Sequence, residues 1–231
     1  MERRQLLTLL GLAPIAHLTA RVAQAEPAGS AEKQPTPAQT AGPFHPVRDQ
    51  DDKDLDLTRV KGRAGRAQGQ VIRIKGTVCD QHGQPVPKAQ VEIWQANKNG
   101  RYAHARDTNP APLDPDFQGW GITETDAQGG YRFLSIKPGS YPAAQGWERP
   151  PHIHFKVTLL GYHELTTQLY FAGEKLNDKD AILLDTPEAR RPALIVAFAP
   201  VEDAAEGKIL EGEFNMVLRK AGPAPAPATP K

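Results

Sequence analysis

Apolar and polar side chains alternate through the middle of this 231-residue chain, and helical spacing is nearly absent. Ile72, Ile74 and Val78 alternate with Arg73, Lys75 and Thr77, the period-two pattern of a half-buried strand. After the turn Asp80-Gln81-His82-Gly83-Gln84-Pro85 a second strand is predicted over 90–95, with Val91 and Ile93 opposite Glu92 and Trp94. The turn Asp126-Ala127-Gln128-Gly129-Gly130 leads into a third, over 131–136. Further strands are predicted at 152–159, 166–171, 194–198 and 213–218, with one short helix near 177–184. Short strands punctuated by Gly and Pro predict an all-β fold, an antiparallel β-sandwich with long loops and very little helix.

Composition narrows the function. Gly and Pro total 42 residues, too many breakers for a helix bundle. Lys and Arg number 28 against 27 Asp and Glu, so no basic excess speaks for a nucleic-acid partner. The single cysteine, Cys79, excludes an internal disulfide and any multi-cysteine metal site.

The ends differ from the middle. Glu2-Arg3-Arg4, an apolar run over 6–16 and Ala23-Gln24-Ala25 are the parts of an export signal, and the paired arginines point to the twin-arginine route. The expected organisation is an export signal over 1–25, an extended or disordered N-terminal arm over 26–62, the sandwich over 63–220, and a Pro/Ala-rich tail over 221–231. The expected location is periplasmic or extracellular, with no membrane association once the signal is removed.

The most informative stretch is Pro151-His152-Ile153-His154-Phe155-Lys156-Val157. On a strand, Ile153, Phe155 and Val157 share one face and His152 and His154 the other, about 7 Å apart. Such a pair either converges on a metal or belongs to a polar outer face. Two tyrosines in turn-rich surroundings accompany it, one in Gly100-Arg101-Tyr102 and one in Pro138-Gly139-Ser140-Tyr141-Pro142.

With Val91-Glu92-Ile93-Trp94-Gln95-Ala96-Asn97, Ala111-Pro112-Leu113-Asp114-Pro115, Arg149-Pro150-Pro151-His152-Ile153-His154-Phe155 and Thr167-Gln168-Leu169-Tyr170-Phe171, these segments resemble intradiol ring-cleavage dioxygenases of the protocatechuate 3,4-dioxygenase type. The ordered match runs from about residue 40 to residue 180. The resemblance implies a non-haem ferric ion, Fe(3+), held by Tyr102, Tyr141, His152 and His154. It implies that a small aromatic diol chelates that ion in place of Tyr141, whose phenolate can take a substrate proton. O2 then opens the ring between the two hydroxyl-bearing carbons to give a cis,cis-muconate. Arg149 is implied beside the ring, where it offsets developing negative charge; the rival reading is a surface pair with Glu148. Gln168 is implied to orient the site, the rival being an outward-facing strand residue. His45, His82, His104 and His163 match no metal role and read as solvent or turn residues.

The chain also departs from the family pattern. Ala143 stands where protocatechuate enzymes tend to carry an aromatic residue, and 26–69 is too short and too rich in Pro and Gly for a helical dimerisation region. All four ligand positions are present, so the resemblance is to the metal-binding chain, expected as a homo-oligomer or beside a sister chain. The rival from another class is a non-catalytic transthyretin-like sandwich module for binding. A second enzyme rival is a cupin, which also uses His-x-His on a strand but generally adds a glutamate that 156–161 lacks.

Overall fold

The computed structural model describes residues 32–222. Twelve strands follow in chain order: β1 (Val71–Asp80), β2 (Gln90–Trp94), β3 (Trp120–Glu124), β4 (Gly130–Ile136), β5 (Tyr141–Ala144), β6 (Trp147–Arg149), β7 (His152–Thr158), β8 (Leu165–Phe171), β9 (Ile195–Val196), β10 (Phe198–Asp203), β11 (Gly207–Glu213) and β12 (Met216–Leu218). They form two five-stranded sheets, β10-β11-β1-β12 with β4 also on β1, and β3-β2-β7-β8-β9, together with the separate hairpin β5-β6. The fold is an all-β sandwich.

Alternation places the core between the sheets. Ile72, Ile74 and Val78 of β1 point inward, and so do Val91 and Ile93 of β2 and Ile153, Phe155 and Val157 of β7. Phe155 meets Phe214 edge-on, with 5.0 Å between ring centroids. Truncating such a ring costs about 3–5 kcal/mol, part lost burial and part residual cavity. Gly76 is required within β1, because a Cβ there would stand 2.0 Å from the Phe214 carbonyl oxygen.

The observed sheets correct three expectations. Strand direction is mixed, since β1 runs parallel to β11 and β12, and β8 runs parallel to β9. A period-two pattern carries no information about a partner's direction, so alternation alone suggested a wholly antiparallel arrangement. Strands β3, β5, β6, β10 and β11 were not foreseen: all but β3 carry mostly exposed or half-buried residues, and Pro142 in β5 and Pro200 in β10 blur the alternation further. The expected helix near 177–184 is a 3-10 turn over Lys175–Lys179 followed by the one-turn helix α1 (Ala181–Asp185).

The arm is part of the domain. Within its described residues, 32–62, Gln39 N–H donates to the Thr166 carbonyl, Leu57 N–H donates to that of Leu134, and Leu57 is fully buried. The Ala- and Pro-rich composition predicted an extended or disordered segment; backbone pairing with β4 and β8 fixes it in an extended path. The export signal and residues 223–231 of the tail lie outside the described residues. No described helix is long and apolar enough to cross a membrane.

Candidate active site

The site is built around β7. With Ile153, Phe155 and Val157 committed to the core, His152 and His154 project from the opposite face, and that face is buried too, at 1% and 2% exposure. Register then selects their neighbours. His154 stands between Trp94 on β2 and Gln168 on β8, and His152 stands opposite Tyr170. The Trp94 ring lies flat on His154, 4.8 Å between centroids and 4° between planes.

The tyrosines arrive from two interlocked segments. Tyr141 opens β5, and its register partner across the hairpin is Arg149. Tyr102 follows β2 in a loop that Asn97 organises, its Oδ1 accepting from the N–H groups of Asn99 (2.8 Å) and Arg101 (3.1 Å). Asp107 Oδ2 accepts the Tyr102 N–H at 2.7 Å. The segments meet at Gly100, where φ is +75° and a Cβ would lie 2.1 Å from the Ser140 carbonyl oxygen.

The four side chains converge. The phenol oxygens of Tyr102 and Tyr141 lie 3.4 and 3.5 Å from His152 Nε2, and the two histidine rings are 5.0 Å apart. His152 Nδ1 is 2.7 Å from the Pro150 carbonyl, an acceptor only, so Nδ1 carries the proton and the Nε2 lone pair faces the phenols. His154 Nδ1 is buried without a protein partner.

Burial sets the protonation states. It drives His152 down to about 3, and the nearby Arg149 charge pushes the same way. Burial, then His152 and Arg149, hold His154 well below the usual histidine value. Tyr102 is raised well above the usual tyrosine value by burial and by Tyr141, whereas Tyr141 is raised less, because Arg149 opposes its burial. Among the described residues no group of three or more His, Cys, Asp or Glu side chains is placed to hold a metal. Two neutral imidazoles and two phenols form the alternative donor set, and hard phenolate oxygens suit a ferric ion.

Arg149 lies inside the site, 3% exposed, with its Nη1 3.2 Å from His152 Nε2. Its Nε and Nη2 donate to the two carboxylate oxygens of Asp180 (3.1 and 2.8 Å), and Nη2 also reaches Gln168 Oε1 (2.8 Å) and Tyr170 Oη (3.1 Å). Burial works against the guanidinium charge, but Asp180 outweighs it and raises the pKa. Glu148 takes the Ser140 hydroxyl instead. Gln168 is fully buried, its Nε2 donating to the Thr40 carbonyl at 3.0 Å.

Sequence reasoning missed Asp180, Tyr170 and Trp94. Asp180 is 31 residues from Arg149, beyond any local pattern. Tyr170 shares the Gln168 face of β8, so period two could have found it. His45 is no mere turn residue: its Nε2 is 2.9 Å from Glu92 Oε1 and its ring stands edge-on to Trp94 at 4.7 Å. A cavity of about 430 Å³ opens beside the cluster, with Tyr141, Arg149 and His154 in its wall.

Comparison with known proteins shows the family. A family model described as "Dioxygenase" matches residues 41–220. The chain is 45% identical over 183 residues to the protocatechuate 3,4-dioxygenase beta chain of Burkholderia cepacia, covering 77% of this chain and 76% of that one. It is 30% identical to the catechol 1,2-dioxygenase of Candida albicans over 62% of its length, spanning about half (48%) of that protein. Among solved structures it resembles the dioxygenase domain of a dioxygenase carbohydrate-binding protein fusion from Streptomyces sp. SirexAA-E, at 29% identity and TM-score 0.60, covering 81% of this chain and 100% of that one. The chain belongs to the intradiol ring-cleavage dioxygenase family, protocatechuate type, and is an oxidoreductase of that class.

Proposed function

We propose that this chain is a non-haem Fe(3+) enzyme that cleaves a catechol-type, protocatechuate-like diol with O2 between its two hydroxyl-bearing carbons, giving a cis,cis-muconate. The convergence of Tyr102, Tyr141, His152 and His154 beside a cavity and a buried arginine carries the reading. A non-catalytic sandwich module has no use for that convergence.

When bound, the ferric ion would act as a Lewis acid, keeping the phenols ionised and drawing electron density from a diol. The remaining work falls to the chain. His152 presents its Nε2 lone pair because Pro150 holds the Nδ1 proton. Tyr141 lines the cavity and Tyr102 does not, so Tyr141 Oη is the phenol oxygen placed to take a proton from a diol hydroxyl. Its burial makes the phenolate a stronger base. Arg149 holds a fixed positive charge beside the ring, where negative charge grows as the diol is attacked. Asp180 and Gln168 keep that guanidinium in place, which makes them positioning residues. Phe44, Pro142 and Trp147 line the cavity and shield the ring from water.

The Arg3-Arg4 motif and the Ala23-Gln24-Ala25 site support export by the twin-arginine route to the periplasm or beyond, and the complete ligand set supports a homo-oligomer or pairing with a sister chain. The test of activity is a visible absorption spectrum of the iron-loaded protein. Phenolate-to-iron charge transfer gives a broad visible band that shifts when a catechol is added. A colourless protein that cannot be loaded with iron sinks the proposal.

A further inference from the structure

The cavity beside the site has an uneven charge inventory. Among the described residues its wall holds one cation, Arg149, and one anion, Asp107. Arg149 is already committed, since Asp180 takes it at both carboxylate oxygens and Gln168 takes a further N–H. Asp107 is fixed in place, because Oδ2 accepts the Tyr102 N–H at 2.7 Å and Oδ1 the Asn109 N–H at 2.8 Å. Its charge therefore stays in the wall. Arg106, in the same loop, donates from Nη2 to the Pro43 carbonyl at 2.7 Å and is not a wall residue. Much of the remaining surface is apolar: Phe44, Pro110, Pro142, Ala143, Trp147 and Ile182.

We infer that this cavity selects diols whose further ring substituent is uncharged and discriminates against a ring carboxylate. The inference rests on the ring-cleavage reading and revises its substrate: the catechol-type diol is kept, and the ring carboxylate of a protocatechuate-like one is disfavoured. A carboxylate entering the cavity sheds water against apolar side chains, finds the wall's one cation already paired with Asp180, and shares the space with a fixed like charge. An alkyl substituent meets the opposite situation and gains from burial against Trp147, Ile182 and the prolines. At about 430 Å³ the cavity has room for a single substituted ring. The Burkholderia cepacia relative is named for protocatechuate, whose carboxylate has no counter-charge in this wall.

The test compares 4-methylcatechol with 3,4-dihydroxybenzoate on the iron-loaded full chain at pH 7. Oxygen uptake gives kcat/KM, and anaerobic titration of the visible band gives Kd. The expected result is a preference of at least about tenfold for 4-methylcatechol in both. Ala143→Arg places a guanidinium at the exposed rim, and Thr108→Lys places an ammonium on the Asp107 side; each should narrow that preference by about tenfold. An equal or better result for 3,4-dihydroxybenzoate with the unaltered chain overturns the inference and leaves ring cleavage standing. A preference that neither variant moves overturns it as well, since charge would then not be what the wall reads. Failure to turn over either diol sinks the ring-cleavage reading, and this inference falls with it.

Discussion

Arg149 and Asp180 meet as a two-point ion pair, Nε to Oδ1 at 3.1 Å and Nη2 to Oδ2 at 2.8 Å, with both side chains within 4% of complete burial. Asp180 immediately precedes α1 and Arg149 ends β6, so the pair fastens the helical segment to the hairpin that carries Tyr141. Asp180→Ala leaves a buried guanidinium without its counter-charge. It should cost about 3–5 kcal/mol in urea unfolding. Asp180→Asn keeps an acceptor and should fold more stably than the alanine variant, yet let Arg149 drift, with kcat falling about a hundredfold. Full kcat in Asp180→Asn would show that the pair does not position Arg149.

Trp94 and His154 face each other across the β2–β7 pairing as one stacked unit, and His45 closes the far edge of Trp94. Trp94→Leu removes the flat support of a ring that has an unpartnered buried Nδ1. The expected cost is about 3–5 kcal/mol, mostly from the lost volume. Iron content after dialysis should fall further than in Phe155→Ala, a core change of similar cost on the other face of β7. Equal iron retention in the two variants would reduce Trp94 to ordinary packing.

Much of this site was legible in the chain because strands write their faces into alternation. His152 and His154 follow from period two on β7, the Gly- and Pro-flanked tyrosines stood out as loop residues, and Gln168 was singled out by the family resemblance. Asp180 was not legible, since nothing local in a one-turn helix announces an ion pair with a strand end far away in sequence. Nor was the parallel pairing of β1 with β11 and β12, because alternation is blind to direction. Composition left the arm at 32–62 as either extended or disordered, without deciding between them. Its order comes from backbone bonds to β4 and β8, which residue type does not encode.

Burial keeps both phenols protonated in the metal-free protein, and His152, down at about 3, is neutral well below pH 7. The protons that a ferric ion must displace at pH 7 are therefore on Tyr102 Oη and Tyr141 Oη, while the His152 Nδ1 proton stays on Nδ1, donated to the Pro150 carbonyl. Iron uptake in weakly buffered solution should release one proton fewer in Tyr102→Phe than in the unaltered chain, read with a pH indicator. His152→Gln should bind more weakly with the same proton count. An unchanged count in Tyr102→Phe would remove that phenol from the ligand set.

Asp80, at the end of β1, provides a test of acid stability outside the Tyr102, Tyr141, His152 and His154 cluster. Its Oδ1 accepts the N–H groups of His82 and Gln84, both at 2.9 Å, and its Oδ2 meets Lys220 Nζ at 2.8 Å. Burial pushes its pKa up, but the bonds from Lys220, Gln84 and His82 outweigh it and hold the carboxyl below the usual aspartate range. Between the folded and unfolded values the unfolded chain binds the extra proton, so stability rises with pH there. The contribution is complete above the unfolded value of about 3.9 and disappears as pH falls through the folded one. Asp80→Asn retains an oxygen acceptor for the turn but loses the charge, and Lys220 is half exposed, so the cost at pH 7 should be about 1–3 kcal/mol. Urea midpoints of the two proteins should differ most at pH 7 and converge as the pH drops below 4. A gap that persists unchanged to pH 2 would mean that Asp80 acts through shape and neutral hydrogen bonds rather than through its charge.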